Sequence, residues 1–420
     1  MSLYSNGKIK SVIIDPTNYR ANHRAEWKLD GARIYKSDLK LGNVGVTSAT
    51  ASGNNKLAGV GSLLKRVALL DGKTELDSVT DFNRYYGFQQ LLDKNDKNES
   101  LNRYLINNNQ GLATGEISKQ LVNLKPQVQL TNVTTTTPEG IIDLRDVLPL
   151  LRELDFLDAD KTFQNLRLQV EFETDDRIKT NDSTTASTTL EPVLFADVIE
   201  DPQLVAGMQK AMPPVVNWFT IEHDVLSVAD LGSAPAVVAS TQTTSKKVRG
   251  FDNKTVNRLL AIKTFSNKAL ATTDGTAVED VGDMGSIAGY DEVFNVRVNG
   301  KNILTRNGND KAPNARMAMV ADTYGDFASY FGSNLINIAG LADRVDDGVL
   351  RAGRLDYFGL VINDLVKDLQ FSYDRTSLAT DGANDSKKRV KGNRGLDIHL
   401  HAEVARVLTM SPNGYNVAYA

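Results

Sequence analysis

The sequence predicts a mainly β protein made of two antiparallel sandwich domains in tandem, with short helical insertions. Three observations carry that expectation: period-two alternation of apolar and polar residues in both halves, tight-turn dipeptides between such runs, and a chain too long for one core. Single hydrophobic cores stop growing at roughly 250–300 residues, and this chain has 420.

The alternation is clearest at Leu166, Leu168, Val170 and Phe172, set against Arg167, Gln169, Glu171 and Glu173, the pattern of a strand with one buried and one wet face. It returns at Leu396, Ile398, Leu400, Ala402 and Val404 against Asp397, His399, His401 and Glu403. Phe294, Val296 and Val298 alternate as well, and Asn299-Gly300 then supplies the dipeptide that favours a tight hairpin turn before Ile303 and Leu304. Asp71-Gly72 plays the same part between VALL and KTEL.

Helical spacing is rarer. Leu144, Val147, Leu148 and Leu151 share one face inside IIDLRDVLPLLREL, where Pro149 is expected to shorten or kink the helix. A second helix is expected over 314–331, with Met317, Val320, Ala321, Tyr324 and Ala328 on one face, and a shorter one over 81–92. Strands, then a helix, then strands recur once in each half, so a duplicated architecture is read from element order. Pro202, Pro213 and Pro214 interrupt both periodicities in 200–217. The expected division is therefore 1–200, a linker at 201–217, and 218–420. The polar segments 174–189, 233–249, 271–289 and 376–394 read as long loops.

Composition narrows the function. Hydrophobic residues make up 41% and charged residues 24%, as in a soluble globular protein. Without cysteine there is no disulfide, thiolate metal site or thiol nucleophile. A net charge of −4 argues against wrapping nucleic acid, which rests on clustered Lys and Arg releasing counterions. The first twenty residues lack the apolar stretch of a secretory signal and no run spans a membrane, so synthesis in a cytosol-like compartment is expected. The glycosylation-type triplets at Asn132 and Asn253 are accordingly expected to stay unmodified.

The nearest approach to a chemical site is the row Asp397, His399, His401 and Glu403, all pointing one way from a single strand. Cupin enzymes grip a metal with two histidines one residue apart, but place their Glu further along and need another His beyond it. Here Glu403 follows His401 by two and no His comes later. The expectation is no metal, with His399, His401 and Glu403 as the only candidates, on a solvated or interface-facing strand. His23 and His223 read as surface or interface residues, and no carboxylate pair suggests acid–base chemistry. Gly72-Lys73-Thr74 has the tail of a phosphate loop but Val67 where its first Gly belongs, and Gly59-Val60-Gly61 lacks a third Gly, so both read as turns. Lys387, Lys388, Arg389, Lys391 and Arg394 form the densest basic cluster, either a nuclear import signal, a contact for an acidic neighbour, or a solvated loop.

The runs LAGVGSLLKRVALLDGKTEL, IIDLRDVLPLLREL, NLRLQVEF and EPVLFADVI in the first half, with EVFNVRVNGKNIL, GLVINDLVKDLQFSYDR and LDIHLHAEVARVLTMSPNGYNVAYA in the second, resemble the double jelly-roll major capsid proteins of the tectivirus and adenovirus lineage, including those of polinton-like viruses. The likeness spans about Leu57 to Ala420 and rests on order, spacing and the ending Tyr415, Val417, Tyr419. The resemblance implies two tandem eight-stranded antiparallel jelly rolls, no enzyme activity and no cofactor. It implies a homotrimer forming a pseudo-hexagonal tile of an icosahedral shell, located in the virion after synthesis in host cytoplasm, with an open question of a nuclear stage. Implied partners are neighbouring capsomers, penton proteins and minor capsid or cement proteins. A mildly basic N-terminal arm with Lys8, Lys10, Arg20 and Arg24 is where contact with an internal membrane or genome is expected. The alternatives are a bicupin-type metalloenzyme using His399 and His401, and a non-viral β-sandwich binding module, against which only two tryptophans, Trp27 and Trp218, are present.

Overall fold

The computed structural model describes residues 9–29, 31, 33–48, 59–89, 92, 140–179, 186–229, 241–266, 292–304, 313–325, 357–376, 395–411 and 414–420. In chain order the first half gives β1 (Ile9–Ile14), β2 (Asn18–Arg20), β3 (Arg24–Leu29), β4 (Ile34–Lys36), β5 (Lys40–Val44), β6 (Val46–Ser48), β7 (Leu64–Asp71) and β8 (Thr74–Thr80). Helix α1 (Phe82–Gln89) comes next, followed by β9 (Gly140–Asp143), α2 (Leu150–Glu153), β10 (Phe156–Asp158), β11 (Leu166–Phe172), α3 (Asp176–Lys179), β12 (Ser187–Thr189) and β13 (Val193–Ile199). Helix α4 (Pro202–Ala211) leads to β14 (Val215–Val228), β15 (Thr241–Lys247), β16 (Lys254–Phe265), β17 (Glu292–Val298) and β18 (Lys301–Asn302). The chain ends with α5 (Pro313–Tyr324), β19 (Tyr357–Val366), β20 (Leu369–Thr376), β21 (Leu396–Ser411) and β22 (Gly414–Tyr419).

A ten-stranded sheet in the order β19-β16-β21-β14-β8-β7-β11-β3-β2, with β22 on β21, runs through both halves. Its first-half strands face a six-stranded sheet, β10-β4-β13-β5-β9 with β1 on β13. Trp27, Leu69, Val79 and Leu168 from one side meet Tyr35, Leu41, Leu157 and Leu194 from the other in one core. The second-half strands face β15-β20-β17-β18, and Leu259, Ile398 and Leu400 pack there against Phe294, Phe371 and Tyr373. The protein is thus mainly β, two tandem jelly rolls that share a sheet.

The turns follow their chemistry. Asn299 and Gly300 both sit at positive φ (52° and 78°), as a primed two-residue hairpin demands, and Gly72 (φ 58°) opens the turn between β7 and β8. Pro149 does interrupt its helix: a 3-10 segment at Leu144–Asp146 precedes it and it caps α2. The 81–92 helix forms as α1, and the second predicted helix is described over Pro313–Tyr324.

Some expectations change. The polar run at 233–249 contains β15, a strand without one apolar side chain that is held by seven-residue pairing to β20. The 174–189 segment holds α3 and β12. The described residues 9–29 pair into sheets: β1 pairs with β13, Lys10 reaches Glu200 at 2.6 Å, and Arg20 and Arg24 lie in paired strands. Within 201–217, Asp201 caps α4 and β14 has begun by Val215. The basic cluster 387–394, Lys8, Asn132 and the 271–289 segment lie outside the described residues.

Candidate functional site

The two jelly rolls meet along a seam where β8 lies beside β14. These are parallel neighbours, joined by a single registered pair, Ile221 with Val79, so side chains hold the seam more than backbone does. Asp77 on β8 is fully buried; its Oδ2 accepts from the Leu150 amide at 2.9 Å and its Oδ1 from the Thr220 hydroxyl at 2.7 Å. Arg406 on β21 donates to the Glu75 carbonyl at 3.1 Å, and the Tyr415 hydroxyl on β22 donates to Asp71 at 2.7 Å. Burial pushes the Asp77 carboxyl up to about 6 although both hydrogen bonds pull it down.

Register also gathers ionisable groups at the seam. His223 and His401 are direct cross-strand partners on β14 and β21. Because Val79 is level with Ile221, Asp81, two residues past Val79, arrives level with His223. Asp81 Oδ2 lies 3.5 Å from His223 Nε2, 3.2 Å from His399 Nδ1 and 3.3 Å from His401 Nε2. His223 Nε2 is 3.1 Å from His399 Nδ1, and the Tyr85 ring of α1 covers His401 with centroids 5.5 Å apart. Asp81 itself holds φ 55°, a left-handed conformation that Asp tolerates better than most residues. Arg84 takes its other oxygen, Oδ1, in a short charge-assisted bond.

Electrostatics follow from the enclosure. Burial alone would raise the Asp81 carboxyl, but Arg84 and His399 outweigh it and hold it well below the usual range. Burial pushes the His223 imidazole down to about 3 against the pull of Asp81. His399 is lowered as well, by burial first and by Arg84 next. A neutral imidazole such as that of His223 keeps one lone pair, so this ring offers an acceptor or ligand atom.

The structure therefore corrects the reading of this strand. The face carrying His399, His401 and Glu403 is buried, because α1 and α5 cover the side of the sheet that the sequence pattern suggested was wet: Phe88 packs on Tyr324 and Tyr357 there. His223 is largely buried with them, whereas His23 is exposed. Glu403 does not join the histidines. Its Oε2 accepts from Arg258 at 2.7 Å and Asn257 at 3.0 Å, and the carboxylate facing the rings is Asp81 from the other jelly roll. Sequence spacing pointed to His399 and His401 but missed Asp81 and His223, whose only local mark is Asp81 standing immediately before a helix.

No family model matches the sequence, and no curated protein matches it. Solved structures do match its fold, and among them are a viral capsid and a major capsid protein. The chain is similar to one in the structure of the Sputnik virophage, with TM-score 0.61 and 10% identity over 98% of this chain and 88% of that one. PBCV-1 VP54, fitted into a reconstruction of Sputnik, gives TM-score 0.56 and 13% identity over 98% and 97%. The mavirus major capsid protein gives 0.55 and 8% over 98% and 90%. At such identities the likeness shows the fold, and the fold is the double jelly roll.

Proposed function

We propose that this chain is the major capsid protein of an icosahedral virus and has no catalytic turnover. The observation that supports it most is that the likeness to viral capsid proteins runs through nearly the whole of both chains, both jelly rolls included. On this reading the first jelly roll extends to about residue 200, 201–217 connects, and 218–420 forms the second. Three copies close a pseudo-hexagonal ring, because a three-fold arrangement satisfies every interface of the same pair of patches. The shared sheet makes each copy a stiff unit, and apolar side chains directed outward from edge strands, Val361 and Leu365 on β19 and Ile13 on β1, are surfaces that neighbouring copies cover. The trimer contact buries well over about 2,000 Å². The protein resides in the virion, with penton and minor capsid proteins as its other partners.

Light scattering on the purified full chain tests this. A particle of about three times the 45.9 kDa chain is expected, with hexagonal tiles or shells in negative stain. A stable monomer at micromolar concentration overturns the proposal.

A further inference from the structure

The chain has four histidines, and three of them meet at one point of the seam. The geometry points to a divalent metal site there, with Asp81 Oδ2, His223 Nε2 and His401 Nε2 as ligands and His399 Nδ1 beside them, taking zinc or another first-row ion that prefers imidazole.

Distance is the first argument. Ligands about 2.0–2.1 Å from a tetrahedral ion lie roughly 3.3 Å from one another, and Asp81 Oδ2 lies 3.3 Å from His401 Nε2 and 3.5 Å from His223 Nε2. The donor atoms of Asp81, His223 and His401 all lie within 4.8 Å of one another.

Hydrogen bonding alone leaves the cluster unsatisfied. His401 is fully enclosed, yet neither of its ring nitrogens has a hydrogen-bond partner, and neither does Asp81 Oδ2. Buried polar atoms are nearly always paired, so an enclosed imidazole whose unpaired Nε2 faces an unpaired carboxylate oxygen makes room for a cation between them. His399 supplies a further sign. Its Nε2 lies 3.2 Å from the Thr264 hydroxyl, the outer hydrogen bond that typically orients a metal-bound histidine. With that nitrogen donating to Thr264, Nδ1 presents a lone pair toward Asp81 Oδ2 and His223 Nε2, where it can ligate an ion. Arg84 on Oδ1 leaves Oδ2 as the one ligand oxygen of Asp81.

Such an ion ties the first jelly roll, through Asp81, to β14 and β21 of the second, at a boundary whose β8–β14 backbone register is one pair. It would act as a structural staple independent of whether the protein assembles into shells. Full-length protein stripped with chelator, loaded with zinc sulfate and gel-filtered is expected to retain about one zinc per chain by plasma mass spectrometry. Cobalt(II) in its place should give the intense visible bands of a four-coordinate ion. His223→Ala and His401→Ala should each lower retained zinc about tenfold or more, and His23→Ala should not. Retention below about a tenth of an equivalent in the wild type overturns the site, as does full retention in both variants. Where a variant fails to fold by circular dichroism, the wild-type cobalt spectrum decides: weak octahedral bands refute the assignment.

Discussion

Replacing Asp77 with Asn is expected to change how stability responds to pH, and the size of the change follows from its burial. The carboxyl is fully enclosed at the seam and titrates near 6, about two units above an ordinary Asp. Between those values the folded chain holds a proton that the unfolded chain has lost. The contribution is therefore fully present below about pH 4 and is lost as pH rises through about 6. At 1.36 kcal/mol per unit the loss is about 3 kcal/mol, with no discount for solvent because the group is enclosed. Asn keeps the shape and one acceptor oxygen for Leu150 or Thr220, but cannot ionise. Urea unfolding of both proteins from about pH 4 to pH 8, followed by tryptophan fluorescence, isolates this term in the difference between the two curves, since distant groups cancel. The variant should gain on the wild type by about 3 kcal/mol across that range. Curves that stay parallel within about 0.5 kcal/mol would refute the argument that burial dominates over the two hydrogen bonds.

Other outcomes follow from packing. Phe371→Ala empties a site bounded by Phe294 and Phe358 in the second core, and should cost about 3–5 kcal/mol in chemical denaturation. Gly61→Ala drives a Cβ into the enclosed Tyr86 ring, so a loss of about 1–3 kcal/mol is expected in the same assay; an unchanged midpoint would mean that the ring moves freely.

Legibility in the sequence tracked how local each cause was. β11 and the apolar face of β21 were readable because burial on one side of a strand leaves a period of two in the residues themselves. Tight turns were readable because Asn299, Gly300 and Gly72 are chosen for positive φ. β15 was not, since TQTTSKK holds its place by pairing with β20 rather than by any apolar face of its own. The polar face of β21 misled for a related reason: His399, His401 and Glu403 look solvated until α1 and α5, encoded hundreds of residues away or on the far side of a loop, are laid over them. Half of the histidine cluster was visible as a motif. The other half depends on β14 pairing with β21, which brings His223, and on β8 meeting β14, which brings Asp81, long-range pairings that no local pattern announces.

Tyr415 on Asp71 closes a circuit between the last strand and one of the early hairpins. A ribosome delivers that tyrosine 344 residues after Asp71, while the amino-terminal portion begins to organise during translation. The early portion must then wait with its docking edge bare, which makes this edge the natural target for chaperones. Replacing Tyr415 by Phe would leave that latch unfastened while every other contact of the seam stays in place.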